Sequence, residues 1–497
     1  MANNKSAYLT VYLTLCMSVL LSLCLTMIEG ARQGGMRLHT ECAADVSMNS
    51  IFAEYHRELF QKYNMFAIDC SYGNPYPDLS YTEERLMYYL QKNIKDGGQP
   101  EELSDYICRD FFALCPGGVR IDEVLLLTDR KGAMFRRQAV EIIKEDIGIA
   151  QIEQVMQWLT TVEEKELTTR DIHGEKEELE ASLWEYDGRT VLSAENKQEL
   201  AFTILKIVNP TGKLEELRKR GLLTLLLNPE EKLSEAGLCE DTLLSTRMDS
   251  GREMQGTLEM PDLSALEVLT EKILFCEYLV QYMGNYLMTK EDSQLKYQVE
   301  YLVGGLNNDL DNLSLMVTIL VGIREVANTI YLFSDQEKVE EVKALVATIT
   351  AVLLIPELES LFTPIVLMGW AFAESLCDVK ALLSGERVPL LKSADSWTLG
   401  LQGALEADDF TKPPRESEDS ESVKEGLCYQ DYLRILLCMV DKNILTKRAM
   451  NLVEADIRLT PGNAGFCLDG CIVGVKSTMR IYSGYGQDFF ITRKRYY

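Results

Sequence analysis

Residues 7–28 read AYLTVYLTLCMSVLLSLCLTMI, a run with no charge, no proline and no glycine. At the helical rise this run is about 33 Å long, enough to cross a hydrocarbon core of about 30 Å. A removable export signal has a shorter apolar region followed by an A-x-A-like site. Here the run leaves through Glu29-Gly30-Ala31-Arg32, with an acid where a small residue belongs. The stretch predicts an uncleaved transmembrane helix over 7–28, with Glu29 and Arg32 at the membrane exit and a cytoplasmic stub at 1–6. Lys5 precedes the span while Arg32 and Arg37 follow it, so the positive-inside rule does not choose an orientation. With only a stub ahead of the span, the body is either kept inside or exported whole. The expectation is a single-pass protein of the cell membrane with an extracytoplasmic body.

Helical spacing continues past the membrane. Ala44, Met48, Ile51, Tyr55, Leu59 and Tyr63 follow steps of three and four and share one helix face. A stalk helix over 29–64 is predicted, continuous with the span and able to bend at Gly30, Gly34 and Gly35. Residues 65–72 (MFAIDCSY) and 118–128 (GVRIDEVLLLT) then read as extended. At the other end, CIVGVKSTMRIY (471–482) and DFFITRKRYY (488–497) are β-branched and aromatic, separated by the turn-rich SGYGQ. The predicted fold is α+β and predominantly α. Its small antiparallel sheet begins in 65–130 and is completed in 461–497, split by a large inserted helical bundle over 131–460.

The helical middle is punctuated by caps and breakers. Asn312 is a candidate cap for a helix carrying Leu313, Met316, Val317, Leu320 and Ile323 on its apolar side. Residues 336–355 read as a helix stopped before Pro356. Thr363-Pro364 reads as the start of the next helix and Gly385 as its stop. ALVATITAVLLI and LFTPIVLMGWAFA are apolar but short, with Glu357 and Glu359 between them, and read as bundle core rather than further spans. Residues 406–426 are polar and charged and read as a disordered surface loop. The Glu- and Lys-rich stretch 161–190 reads as a solvated face.

Composition narrows the function. A formal charge of -27 argues against nucleic-acid binding, which needs Lys and Arg to neutralise phosphates. The 13 cysteines follow no secreted disulfide framework; buried or free thiols are expected, with a local Cys467–Cys471 or Cys108–Cys115 disulfide as the alternative. His39, His56 and His173 are the only histidines, and none has a neighbourhood suggesting a nucleophile and its base. Asn307, Asp309 and Asp311 alternate like the start of a calcium loop, but Asn312 and Thr318 stand where glycine and glutamate belong; turn and cap chemistry is expected. Glu374 and Asp378 share one face of an apolar helix, a spacing that suits acid–base chemistry or an ion pair with Arg324 or Lys380. Tyr278, Tyr282, Tyr286 and Tyr297 read as inter-helix packing. No cofactor and no metal is expected.

The start SAYLTVYLTLCMSVLLSLCLTMIEGAR, then AEYHRELFQKYNMFAID, resembles a family of uncharacterised Gram-positive membrane proteins. QVEYLVGGLNNDLDNL, WAFAESLCDVKALLSGERVPLLK and LCYQDYLRILLCM extend the resemblance along most of the chain. At its N-terminus that family is similar to the TadE/TadG-type minor pilins of tight-adherence pili. The resemblance implies a pilin-like sheet behind the stalk, and as partners membrane lipid and other pilin-like or pilus-assembly proteins. The chain departs from the pilin pattern: no glycine precedes the apolar run, Val11 stands where the pilin glutamate would be, and Glu29 lies at the far end of the span. The expected function is a non-enzymatic, minor-pilin-like or accessory component of such an assembly. The alternatives are a cell-envelope enzyme or sensor using Glu374 and Asp378, and a tethered interaction scaffold.

Overall fold

The computed structural model describes residues 3–74, 76–95, 112–187, 190–193, 201–204, 209–219, 221–227, 232–259, 268–353, 358–406 and 426–497. The loop expected over 406–426 lies, but for its two ends, outside the described residues, as does Cys108. Helices come in the order α1 (Asn3–Phe52), α2 (Arg57–Tyr63), α3 (Leu79–Lys95), α4 (Asp129–Lys144), α5 (Ile149–Glu164) and α6 (Ile172–Trp184). Next are α7 (Gly212–Lys219), α8 (Leu222–Leu226), α9 (Leu244–Asp249), α10 (Val268–Tyr282), α11 (Gln298–Gly304) and α12 (Asp309–Ser334). The last are α13 (Gln336–Leu353), α14 (Glu359–Leu383), α15 (Leu401–Glu406), α16 (Tyr429–Met439) and α17 (Lys442–Arg458). The strands are β1 (Ile68–Asp69), β2 (Leu114–Leu126), β3 (Thr190–Ser193), β4 (Ala201–Ile204), β5 (Cys471–Ser483) and β6 (Asp488–Tyr496). Helix predominates, and the chain divides into two compact units: Met1–Gln138 with Leu244–Ser264 and Ile457–Tyr497, and Ala139–Leu243 with Ala265–Asp456.

In the first unit β5 is the central strand, antiparallel to β2 on one side and to β6 on the other, with β1 paired to its start. Alternation along β5 puts Val475, Met479 and Ile481 on one face, and Ile472 joins their core across the register shift at Leu125–Leu126. That face meets Ala44, Met48 and Ile51 of α1 and Leu86 and Leu90 of α3 in one core. α1 thus has two halves. From Tyr8 to Ile28 its large apolar side chains are 55–76% exposed, whereas Met36, Thr40, Ala43, Ala44, Ser47, Met48 and Ile51 form a buried stripe.

The predicted single stalk helix over 29–64 is corrected. α1 runs unbroken through Gly30, Gly34 and Gly35 but ends at Phe52, and α2 is a separate helix capped by His56, whose Nδ1 accepts from the Leu59 N–H at 3.2 Å. Leu59 and Tyr63 are buried, as their spacing predicts, but on the second helix. The break follows from long-range contacts. Tyr497 O–H donates to the Phe52 carbonyl and its ring lies 4.8 Å from that of Phe52, while the His56 N–H bonds the Ala67 carbonyl at 2.8 Å. Of the extended stretch 65–72 only Ile68–Asp69 pairs as strand, and β2 starts four residues before the predicted 118.

The insertion expected over 131–460 is itself interrupted. Residues Leu244–Ser264 return to the sheet unit, where the Thr257 and Leu258 N–H groups bond the Val124 carbonyl at 2.9 and 2.8 Å. Main-chain bonds and the Arg247–Asp469 ion pair at 2.9 Å hold this stretch, and no regular apolar period announces it.

In the second unit α12 and α14 pack along each other. Trp370, Phe362 and Phe372 of α14, Tyr278 and Phe275 of α10, and Tyr429 and Tyr432 of α16 are fully buried. α12 is capped by Asn308, whose side chain accepts the Asp311 N–H at 2.7 Å; the predicted cap, Asn312, is buried inside the helix and binds the Leu306 backbone instead. α14 begins at Glu359, ahead of the predicted Thr363-Pro364, so Pro364 lies inside it; Gly385, at φ +90°, follows its C-cap as expected. The charged stretch 161–190 is not wholly solvated, because Lys176 is buried against Glu180 and Glu215.

Candidate functional site: the apolar helix and its exit

Among the described residues, three helices are long and apolar enough to span a membrane: α1, α12 and α14. The apolar windows of α12 and α14 are 67% and 72% buried in the fold, whereas that of α1 is wholly unburied. An exposed helix that is apolar all round has the length and composition of a membrane-crossing helix.

Just past the apolar half of α1, Arg32 pairs with Glu29 at 2.7 Å, and Gln33 Nε2 donates to Glu29 at 3.1 Å. The Arg32 guanidinium lies 3.8 Å from the centroid of the Tyr485 ring, which sits in the turn between β5 and β6. That turn is tight: the Ser483 N–H bonds the Gln487 carbonyl at 2.8 Å, and Gly486 takes φ +83°. A turn further along α1, the Phe112 ring packs so closely on Gly35 that a Cβ there would stand 2.8 Å from it. Ser483 Oγ donates to the Phe112 carbonyl at 3.0 Å, and the Gly484 N–H bonds the Ala113 carbonyl at 2.8 Å. The exit predicted from Glu29 and Arg32 is therefore a junction of helix and hairpin tip. Tyr485 and Phe112 could not be assigned to it from the sequence.

Glu374 and Asp378 are brought together in the second unit. Glu374 accepts from Lys392 Nζ at 2.6 Å, from the N–H groups of Thr398 and Leu399 at 3.0 and 2.9 Å, and from the Thr398 hydroxyl at 2.9 Å. Asp378 accepts from Arg324 Nε and Asn328 Nδ2, each at 3.0 Å, and pairs with Lys392 at 2.7 Å. Arg324 also donates to the Pro389 and Leu390 carbonyls at 2.8 Å and to Tyr432 at 3.0 Å. Of the predicted cations Arg324 takes part, but Lys392 stands in place of Lys380, which is only two residues from Asp378 and faces elsewhere on the helix. Both oxygens of each carboxylate are engaged, so a substrate would first have to break the network. Cys377 beside them has its thiol pushed up to about 12 by burial and by both carboxylates.

Asn307, Asp309 and Asp311 do not converge. Asp309 is fully buried and accepts from the Lys296 and Tyr297 N–H groups at 2.8 and 3.1 Å, while Asp311 binds the capping Asn308 and Asn307 turns to Glu240. Among the described residues no group of three His, Cys, Asp or Glu is placed to hold a metal ion. His39 lies against Phe112, His56 caps α2, and His173 is 3.4 Å from Glu177. Cys467 and Cys471 do not form a local disulfide. The tyrosines pack as expected: Tyr278 stacks on Tyr282 at 4.6 Å and Tyr286 meets Tyr297 edge-on at 5.6 Å.

One buried acid carries no signal in the sequence. Glu300 on α11 is fully buried and accepts from the Tyr286 N–H at 2.9 Å and from the Tyr429 hydroxyl at 2.8 Å, while its Oε2 has no hydrogen-bond partner. Burial pushes its carboxyl up to about 7; the two hydrogen bonds only moderate that rise, and the Asp309 charge adds to it.

Fold and site define a predominantly helical α+β chain, with an exposed apolar N-terminal helix joined to a small antiparallel sheet and a separate helical unit. Residues 204–483, more than half of the chain, match the profile of DUF5702, a family of unknown function, and the chain belongs to that family. No curated protein and no solved structure matches it.

Proposed function

We propose that this protein is a non-enzymatic, membrane-anchored subunit of a tight-adherence-type pilus or secretion assembly, minor-pilin-like or accessory in role. In this reading α1 crosses the membrane once, with the N-terminus cytoplasmic and both compact units extracytoplasmic. The observation that supports it is the division of α1: an exposed apolar half continues, without a break, into a half packed on a small antiparallel sheet. The same plan is what the resemblance to TadE/TadG-type pilins implies. The missing glycine before the run and the absence of glutamate at Val11 favour an unprocessed accessory subunit over a polymerising one. Its partners would be membrane lipid and other pilin-like or assembly proteins. The acidic charge disfavours nucleic acid. The fully engaged network around Glu374 and Asp378 disfavours the enzyme or sensor alternative.

Two measurements test the proposal together. A C-terminal tag is digested by protease on intact protoplasts while N-terminal sequencing finds the start uncut. Deletion of the gene then alters pilus number, length or adhesion. A tag protected until lysis places the body in the cytoplasm and ends the pilin-like reading; pili and adhesion unchanged by deletion end the assembly role and leave a tethered scaffold.

A further inference from the structure

The β5–β6 hairpin lies lengthwise on α1. Three contacts fix its direction: Ser477 Oγ donates to Met48 Sδ at 3.2 Å, Arg493 pairs with Asp45, and Tyr485 lies under Arg32 at 3.8 Å. From Arg32 to Asp45 the helix climbs about 20 Å, and from Asp488, where β6 leaves the turn, to Arg493 the strand climbs about 17 Å, so the two run side by side with the turn beyond. The turn therefore points at the apolar end of α1, and Tyr485 is level with Arg32. Arg32 itself stands only about 6 Å beyond Ile28, the last residue of the apolar run. The headgroup layer on each side of a bilayer is about 5–7 Å deep. When α1 spans, Tyr485 is at headgroup depth.

We propose that the turn Ser483–Gln487 is a second membrane contact, with Tyr485 seated among phospholipid headgroups beside the point where α1 leaves the bilayer. This rests on α1 being a span and goes beyond it. Tyr485 keeps 51% of its surface exposed even with Arg32 against one face of the ring. A phenol suits this place, since its ring tolerates the acyl boundary while its hydroxyl reaches water and phosphate. Gly484 and Gly486 on either side add no bulk that would hold the ring off the surface. The Arg32 guanidinium, held by Glu29, keeps the ring at that level. Together with α1 the contact gives the sheet two points on the membrane, which fixes its tilt and its rotation about the helix.

The test uses the full chain reconstituted in vesicles of phosphatidylcholine and phosphatidylglycerol. Photoreactive benzoylphenylalanine replaces Ser18, Tyr485 or Thr492 in turn, and adducts are read by mass spectrometry. Ser18 reports the span, and Thr492 is an exposed residue of the same hairpin well above the membrane. Expected are adducts one phospholipid heavier at positions 18 and 485, and none at 492. Lipid capture at 18 without capture at 485, or capture of a second protein chain at 485, overturns the hairpin contact and leaves the anchor standing. Failure at position 18 overturns the anchor itself, and the hairpin contact with it.

Discussion

Replacing Glu300 with Gln should make the helical unit more stable at alkaline pH and leave it unchanged in acid. Glu300 holds its proton up to about 7 in the folded protein, against an ordinary value of 4.5. Between those two values the folded chain binds more protons at this site than the unfolded chain, so stability falls as pH rises through the window. Below 4.5 the acid is protonated in both states and contributes nothing; above 7 the full penalty of the buried charge is present. The difference amounts to about 3 kcal/mol. Gln carries no charge, and its Oε1 still accepts from the Tyr286 N–H and the Tyr429 hydroxyl. Its amide takes the place of Oε2, which has no partner to lose. The assay is urea unfolding of the full chain in detergent micelles, followed by tryptophan fluorescence between pH 4 and 9. All four tryptophans, Trp158, Trp184, Trp370 and Trp397, belong to the same compact unit as Glu300, so the signal reports the right unfolding. Wild type and variant share every other titrating group, and their difference isolates this one. Curves that stay parallel across the whole range would refute the reasoning, because they would mean that Glu300 ionises as freely when folded as when unfolded.

Lys392→Met should destabilise the same unit by about 3–5 kcal/mol, because it strips the shared cation from two buried carboxylates; a change in urea midpoint too small to resolve would show that the network is not closed. The buried thiols Cys70, Cys276, Cys438 and Cys471 should resist alkylation in native protein, while exposed Cys42 and Cys239 react at once, as peptide mass mapping would show. Cys70 is doubly protected, since burial and the neighbouring Asp69 charge push its thiol up to about 12. Gly35→Val should weaken the sheet unit by about 1–3 kcal/mol, as the new side chain drives into Phe112. The urea dependence of Cys70 alkylation, a probe inside that unit, would register the loss; an unmoved midpoint would mean the ring swings aside freely.

Much of the architecture was legible without coordinates. The uncharged run 7–28 marks by composition alone a helix long and apolar enough to cross a bilayer, and α1 contains such a helix. The two C-terminal strands and their turn were marked by β-branched residues around SGYGQ, and β5 and β6 fall there almost to the residue. The apolar run LFTPIVLMGWAFA was read as bundle core from its shortness and from Glu357 and Glu359 before it, and the window of the helix that carries it is 72% buried. These features are local: each is set by the order of apolar and polar residues within one element.

What the tertiary structure decided is non-local. The stripe Ala44, Met48, Ile51, Tyr55, Leu59, Tyr63 keeps helical period straight through a break, and only Tyr497, at the other end of the chain, shows why α1 stops at Phe52. Glu374 and Asp378 were visible as a pair, but their partner Lys392 follows the end of the helix, where no periodicity could place it. Glu300 is ordinary in sequence and is set apart by its burial in the helical unit, to which the Asp309 charge adds. Tyr485 reads as a turn residue until the hairpin is laid along α1 beside Arg32. Sequence patterning determines which face of an element is apolar, because burial follows period; which distant residue meets that face depends on how the chain returns, and no local pattern encodes it.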